Sequence, residues 1–131
     1  MNNDKKERKY DLEDRLVMFV GIIGKLTDQL KDSYESQNLK KQIIRSSSSS
    51  ALNYGEALAA ESRADFVHKL SICLKELIET RVAIKLIQAR LFCADTELAI
   101  KVGQECSELI GIFFKSIDTA KKNMQSNNIT K

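Results

Sequence analysis

A helical register that survives a run of five serines constrains this chain more than any other feature. Steps of four and three from Leu39 give Ile43, Ser46, Ser50, Asn53, Ala57 and Ala60, and the adjacent stripe reads Ile44, Ser47, Ala51, Tyr54 and Leu58. A hinge would have no reason to keep that phase. A helix pressed closely against its neighbours would keep it and fill it with small side chains. Serine is a mediocre helix former, because its hydroxyl competes for nearby backbone groups. A packed helix here must therefore be held by tertiary contacts, and a low-complexity linker is the alternative.

The rest of the chain favours the helix. Its 131 residues include no proline and five glycines, with 43% hydrophobic and 30% charged residues, the composition of long uninterrupted helices. That length makes one domain with a single core. Met1 to Arg8 is polar, unlike a secretory signal, and the longest apolar run, Leu16 to Gly24, is nine residues. A membrane-spanning helix needs about 20. A soluble, cytoplasmic protein is expected, with no membrane association.

Four amphipathic segments follow one another, predicted at about 11–30, 36–60, 62–91 and 95–124. The first carries Leu12, Leu16, Phe19, Ile23, Leu26 and Leu30 in phase, with Asp11 as its expected N-cap. Gly21 and Gly24 are expected to mark a close helix crossing. The third opens on Ser62, a capping hydroxyl, with Asp65 near a capping box. Phe66, Leu70, Cys73, Leu77, Thr80, Ile84, Ile87 and Leu91 then hold one seam. Additional apolar positions widen that stripe enough to suggest a second buried face against another subunit. The fourth is capped by Asp95 and lines up Leu98, Val102, Cys106, Leu109, Phe113, Ile117, Ala120 and Met124. Val67, Ile78, Val82, Ile110 and Phe114 are the expected oligomer contacts. Short connections between long helices make an all-α, antiparallel up-down-up-down four-helix bundle over 11–124, with flexible segments at 1–10 and 125–131.

Few residues offer chemistry. Cys73, Cys93 and Cys106 are too widely spaced for a disulfide framework or a CxxC pair; Cys73 and Cys106, on apolar seams, read as small hydrophobes, and Cys93, in a turn, reads as exposed. Asp65-Phe66-Val67-His68 has a DxxH arrangement, but a bundle di-iron site needs such a motif on two helices, and His68 is the only histidine. His68 therefore reads as a surface or subunit-contact residue. No glycine-rich phosphate loop is present. Neither metal nor cofactor is expected, and the chain does not read as an enzyme.

Recognition comes from the middle of the chain. Gln42-Ile43-Ile44-Arg45-Ser46, Asn53-Tyr54-Gly55-Glu56-Ala57, Glu61 to Ile72, Leu74-Lys75-Glu76 and Glu79-Thr80-Arg81 resemble the signature of a bacterial four-helix-bundle family, with Glu108-Leu109-Ile110, Phe113 and Ser116-Ile117 near the C-terminus. The family is named for proteins encoded in intervening sequences of 23S ribosomal RNA genes. The likeness spans roughly Leu12 to Lys122; the serine run and Gly55 depart from it but keep the side chains small. It implies a bundle that assembles into a homo-oligomeric ring, with a pentamer favoured. The accessory proteins of diversity-generating retroelements share the architecture, bind nucleic acid and partner a reverse transcriptase.

Two sets of polar residues follow. Arg45, Asn53, Glu56, Glu76, Glu79 and Arg81 are expected to form a structural network in which Arg45 or Arg81 pairs with the carboxylates, fixing register more than adding stability. Lys40, Lys41, Arg45, Lys69, Lys75, Arg81 and Lys85 are the candidate nucleic-acid contacts. Net charge is only +3, and pairs such as Asp65–Lys69, Lys75–Glu79 and Glu97–Lys101 would compensate one another at i,i+4. Arg81 and Lys85 are the like-charged exception. The sequence thus points to a non-enzymatic adaptor or scaffold, with RNA or DNA on basic helix faces multiplied around a ring and a protein partner of the reverse-transcriptase kind. The alternative is a protein–protein interaction module that ignores nucleic acid.

Overall fold

The computed structural model describes the backbone of residues 3–129 and the side chains of residues 12–125. Four helices follow in order: α1 (Asn3–Thr27), α2 (Tyr34–Leu58), α3 (Arg63–Ala89) and α4 (Thr96–Ile129). Each packs against its neighbours in the cycle α1-α2-α3-α4-α1, in up-down-up-down order. Among the described residues there is no strand, only an isolated bridge between Leu30 and Cys93. The expected terminal segments, 1–10 and 125–131, fall largely outside the described side chains.

The helix starts follow from side-chain caps. Ser33 accepts from the Ser36 N–H at 3.2 Å, so α2 begins slightly before the predicted Ser36. Ser62 accepts from the Asp65 N–H at 3.0 Å, and Asp95 Oδ1 from the Leu98 N–H at 3.0 Å, both as expected. The predicted cap at Asp11 does not fall at a helix start: α1 already runs from Asn3, which places position 11 inside the helix.

The end of α3 differs from the predicted seam. Leu91 turns into the left-handed region with φ 52°, while Leu91 N–H donates to the Gln88 carbonyl and Phe92 N–H to the Ile87 carbonyl. Those two bonds satisfy carbonyls that a helix end otherwise leaves open. Leu91 is thereby swung to the surface and the seam stops at Ile87. Phe92 and Cys93 fold back into the bundle end, where Lys31 N–H donates to the Phe92 carbonyl at 3.0 Å. Cys93 is consequently buried, 4% exposed, against the expectation for a turn residue.

The core runs the length of the bundle. Leu16, Phe19, Ile23 and Leu26 of α1 meet Ile43, Tyr54 and Ala57 of α2, Leu70 to Ile87 of α3, and Val102, Leu109 and Phe113 of α4. Tyr54 and Phe113 touch edge to face, centroids 5.6 Å apart, a geometry that the ring quadrupoles favour. The serine run is helical throughout, and Ser46, Ser47 and Ser50 are fully buried. Gly21 and Gly24 mark no close crossing, since a Cβ at either would meet nothing within 4 Å. The glycine that does face a neighbour is Gly103, whose added Cβ would lie 3.6 Å from Ile84 Cγ2.

Candidate functional site

The predicted polar network divides into separate contacts. Arg45 reaches across from α2 to α3, where Nη1 donates to Glu76 Oε2 at 2.8 Å and Nη2 donates to Glu79. Those two bonds, Glu76 first, raise the Arg45 guanidinium above its ordinary pKa. The cluster lies at the surface, with Arg45 itself exposed. Asn53 stays out of it: its amide donates to the Ser49 carbonyl and hydroxyl one turn back. Glu56 accepts from Lys69 at 3.4 Å instead. Arg81 joins none of the carboxylates, and its Nε is buried without an acceptor.

Behind that surface cluster lies a hydroxyl contact. Ser46 Oγ and Thr80 Oγ1, both fully buried, are 2.7 Å apart and join α2 to α3 directly. Within the serine run, the other buried hydroxyls turn back on their own helix, Ser47 to the Ile44 carbonyl and Ser50 to the Ser47 carbonyl, whereas Ser36 Oγ at the start of α2 is buried without a partner. On the opposite side of the bundle, Arg15 of α1 donates to both oxygens of Glu105 at 2.8 Å and to Glu108 at 3.2 Å. The bond from Arg15 holds Glu105 below the ordinary carboxylate pKa, against an opposing push from burial. Residues 90 apart carry no local signal of such a pair, so sequence spacing could not disclose it.

The seven candidate basic residues are not equivalent. Arg45 and Lys69 are taken up by acids on neighbouring helices. The compensating pairs Asp65–Lys69, Lys75–Glu79 and Glu97–Lys101 do not form; among the described residues, the i,i+4 ion pair is Lys122–Asp118. Lys41, Lys75 and Lys85 are exposed, and Lys40 and Arg81 half-buried, with no ion pair among the described residues. Arg81 and Lys85 line an open groove of about 500 Å³ between α3 and α4, floored by Ile84 and Gly103 and flanked by Gln88, Gln104 and Ser107. A larger groove of about 820 Å³ opens at the other end of the bundle, where Leu58 and Phe66 face Ile112 and Ala120 of α4.

The expected oligomer contacts also divide. Ile110 is 4% exposed and belongs to the bundle's own core, because it turns inward beside Leu109. Val67 and Ile78 are half-buried against that core. Val82 and Phe114 remain open, 50% and 57% exposed.

Residues 8–115 match the family described as 23S rRNA-intervening sequence protein. The chain belongs to that family. A second likeness agrees with it: the crystal structure of a protein of unknown function from the S23 ribosomal protein family of Bacteroides thetaiotaomicron is similar to this intervening-sequence protein at TM-score 0.73 and 30% identity, over 81% of this chain and 97% of that one. No curated protein matches the sequence significantly. The family name records an association with 23S rRNA intervening sequences and assigns no reaction.

Other chemistry finds little footing in this family member. Among the described residues, no three His, Cys, Asp or Glu side chains gather as a metal site, and no helix is long and apolar enough to cross a membrane. His68 is exposed. The Cys73 and Cys106 thiols are buried and pushed up to about 12 by desolvation, which leaves them protonated and inert as nucleophiles near neutral pH.

Proposed function

We propose that this protein is a cytoplasmic, non-enzymatic scaffold that self-associates, in a ring with five subunits favoured, and engages nucleic acid through its basic helix faces. The observation that carries the reading is the set of large apolar side chains left outside the core on α3 and α4: Val82, Leu86, Ile100 and Phe114. The bundle's interior is complete without them, and burial against another copy would remove their apolar surface from water. Assembly would also repeat Lys40, Lys41, Lys75, Arg81 and Lys85 around one particle. A net charge of +3 per chain then becomes a multivalent basic surface.

Sedimentation velocity on the full chain tests the assembly. The wild type should sediment as a defined oligomer and Val82→Glu/Phe114→Glu as a smaller species with unchanged helicity. A wild-type monomer at every concentration would refute the scaffold reading. The protein-only module is favoured by a different feature, the apolar-lined groove between the α2–α3 turn and α4. It predicts assembly without any nucleic-acid binding, even at low salt.

A further inference from the structure

We propose that the groove between α3 and α4 is the place where this protein grips a nucleic-acid backbone, with Arg81 and Lys85 as the phosphate ligands; the inference rests on the nucleic-acid reading given above. Three features separate this groove from the other basic positions. Arg81 and Lys85 stand four apart on one helix face, like charges that repel unless an anion comes between them. Neither forms an ion pair among the described residues, and Arg81 Nε is buried with no acceptor. A donor that finds no acceptor nearby leaves the guanidinium charge of this groove-lining residue unanswered within the protein. The acid in the groove does not supply it, since Glu108 is drawn toward Arg15 at 3.2 Å.

The shape of the groove fits the same ligand. Gly103 sits across from the Ile84 side chain, so the α4 half of the floor adds no side chain at that level and the trough stays open. Its volume, about 500 Å³, is ample for a phosphate with its sugar. Gln88, Gln104 and Ser107 on the walls are neutral and can donate hydrogen bonds to ribose or base edges without sign preference. A guanidinium and an ammonium on one wall, with neutral amides around them, suit a phosphodiester with its sugar. They match an acidic peptide less well, since its carboxylates bring no sugar hydroxyls for Gln88, Gln104 and Ser107 to meet.

Fluorescence anisotropy on the full-length protein with a labelled single-stranded RNA of mixed sequence tests this, titrated in sodium chloride. Arg81→Gln/Lys85→Gln should weaken binding at least tenfold and flatten the log K against log salt slope by about 1.4 per site, at roughly 0.7 per phosphate contact on single strands. Lys25→Gln/Lys31→Gln, which removes the same charge at exposed positions outside the groove lining, should change affinity less than about threefold. Lys85→Glu alone, at an exposed position, should also lose binding, and Arg81→Lys/Lys85→Arg should retain most of it, which separates lost charge from lost folding. Wild-type binding that Arg81→Gln/Lys85→Gln leaves intact overturns the groove and spares the nucleic-acid reading. Absence of wild-type binding at low salt overturns both. Displacement of the RNA by polyglutamate as effectively as by unlabelled RNA overturns the phosphodiester assignment.

Discussion

Removing the hydroxyl pair between Ser46 and Thr80 shows how α2 and α3 are joined. Thr80 Oγ1 has one proton and stands 2.8 Å from the Glu76 carbonyl and 2.7 Å from Ser46 Oγ. A carbonyl only accepts, so the Thr80 proton goes to Glu76 and Ser46 is the donor between helices. Ser46→Ala removes that bond and leaves a buried lone pair on Thr80, a loss of about 1 kcal/mol. Thr80→Val removes the same bond and the one to Glu76, about 2 kcal/mol, and returns the Ser46 hydroxyl to the Ile43 carbonyl, at 3.4 Å a weak acceptor. The double variant has little left to lose, so it should lie near Thr80→Val alone, about 2 kcal/mol, rather than at the sum of about 3 kcal/mol. Urea denaturation followed by circular dichroism at fixed protomer concentration measures all three, since the proposed assembly would make stability concentration-dependent. Strict additivity would mean that the two hydroxyls do not share a bond, and the proposed direction of donation would be wrong.

Two further outcomes follow from single residues. Glu105 lies below its ordinary pKa because Arg15 donates to it, so its contribution is fully present above the unfolded value, about 4.3, and is lost as pH falls through the folded value. Glu105→Gln should therefore destabilise the protein at neutral pH and make its loss of stability between about pH 5 and pH 3 shallower, read from urea midpoints; an unchanged slope would contradict the pair. Leu91 is exposed in the left-handed region, where a side chain costs roughly 1 kcal/mol, so Leu91→Gly should raise the unfolding free energy measured in urea by at most that amount after the added freedom of the unfolded chain is subtracted. A lowered value would show that Leu91 is held by contacts outside its own bundle.

What the sequence disclosed is what periodicity can carry. Ser46 and Ser50 fall in phase with Ile43 and Ala57, and all four are buried. The caps at Ser62 and Asp95 were visible because a cap is a local arrangement of a side chain and an N–H three residues on. Cys93 and Leu91 were misplaced because the α3 end depends on a left-handed residue that is not glycine, and no local pattern announces that. Among site residues, Arg45 with Glu76 and Glu79 was legible, since two acids three apart on α3 face one way. Asn53 and Glu56 shared a face too, but shorter-range partners at Ser49 and Lys69 were within reach and took them. Ile110 was assigned outward because it flanks a seam already filled by Leu109, yet the stripe of α4 is wide enough to bury both.

The two long sides of α3 are built on opposite plans. Toward α2 its polar groups are answered within the protein: Thr80 by Ser46 and by Glu76, and Glu76 and Glu79 by Arg45. Ser47 and Ser50 of α2 also place their hydroxyls on carbonyls of their own helix, so the polar stripe of the serine run lies in the core at little cost in unmet hydrogen bonds. Such an interface fixes register, and any larger side chain at Ser46 would force the helices apart. Toward α4 the same helix presents Arg81 with an unanswered Nε, Lys85 without a carboxylate and a floor to which Gly103 adds no side chain. A seam whose hydrogen bonds are closed can hold structure and do little else. On the proposed reading the ligand belongs where cationic donors remain unmet, on the α3–α4 side, while the α2–α3 side holds the helices in register.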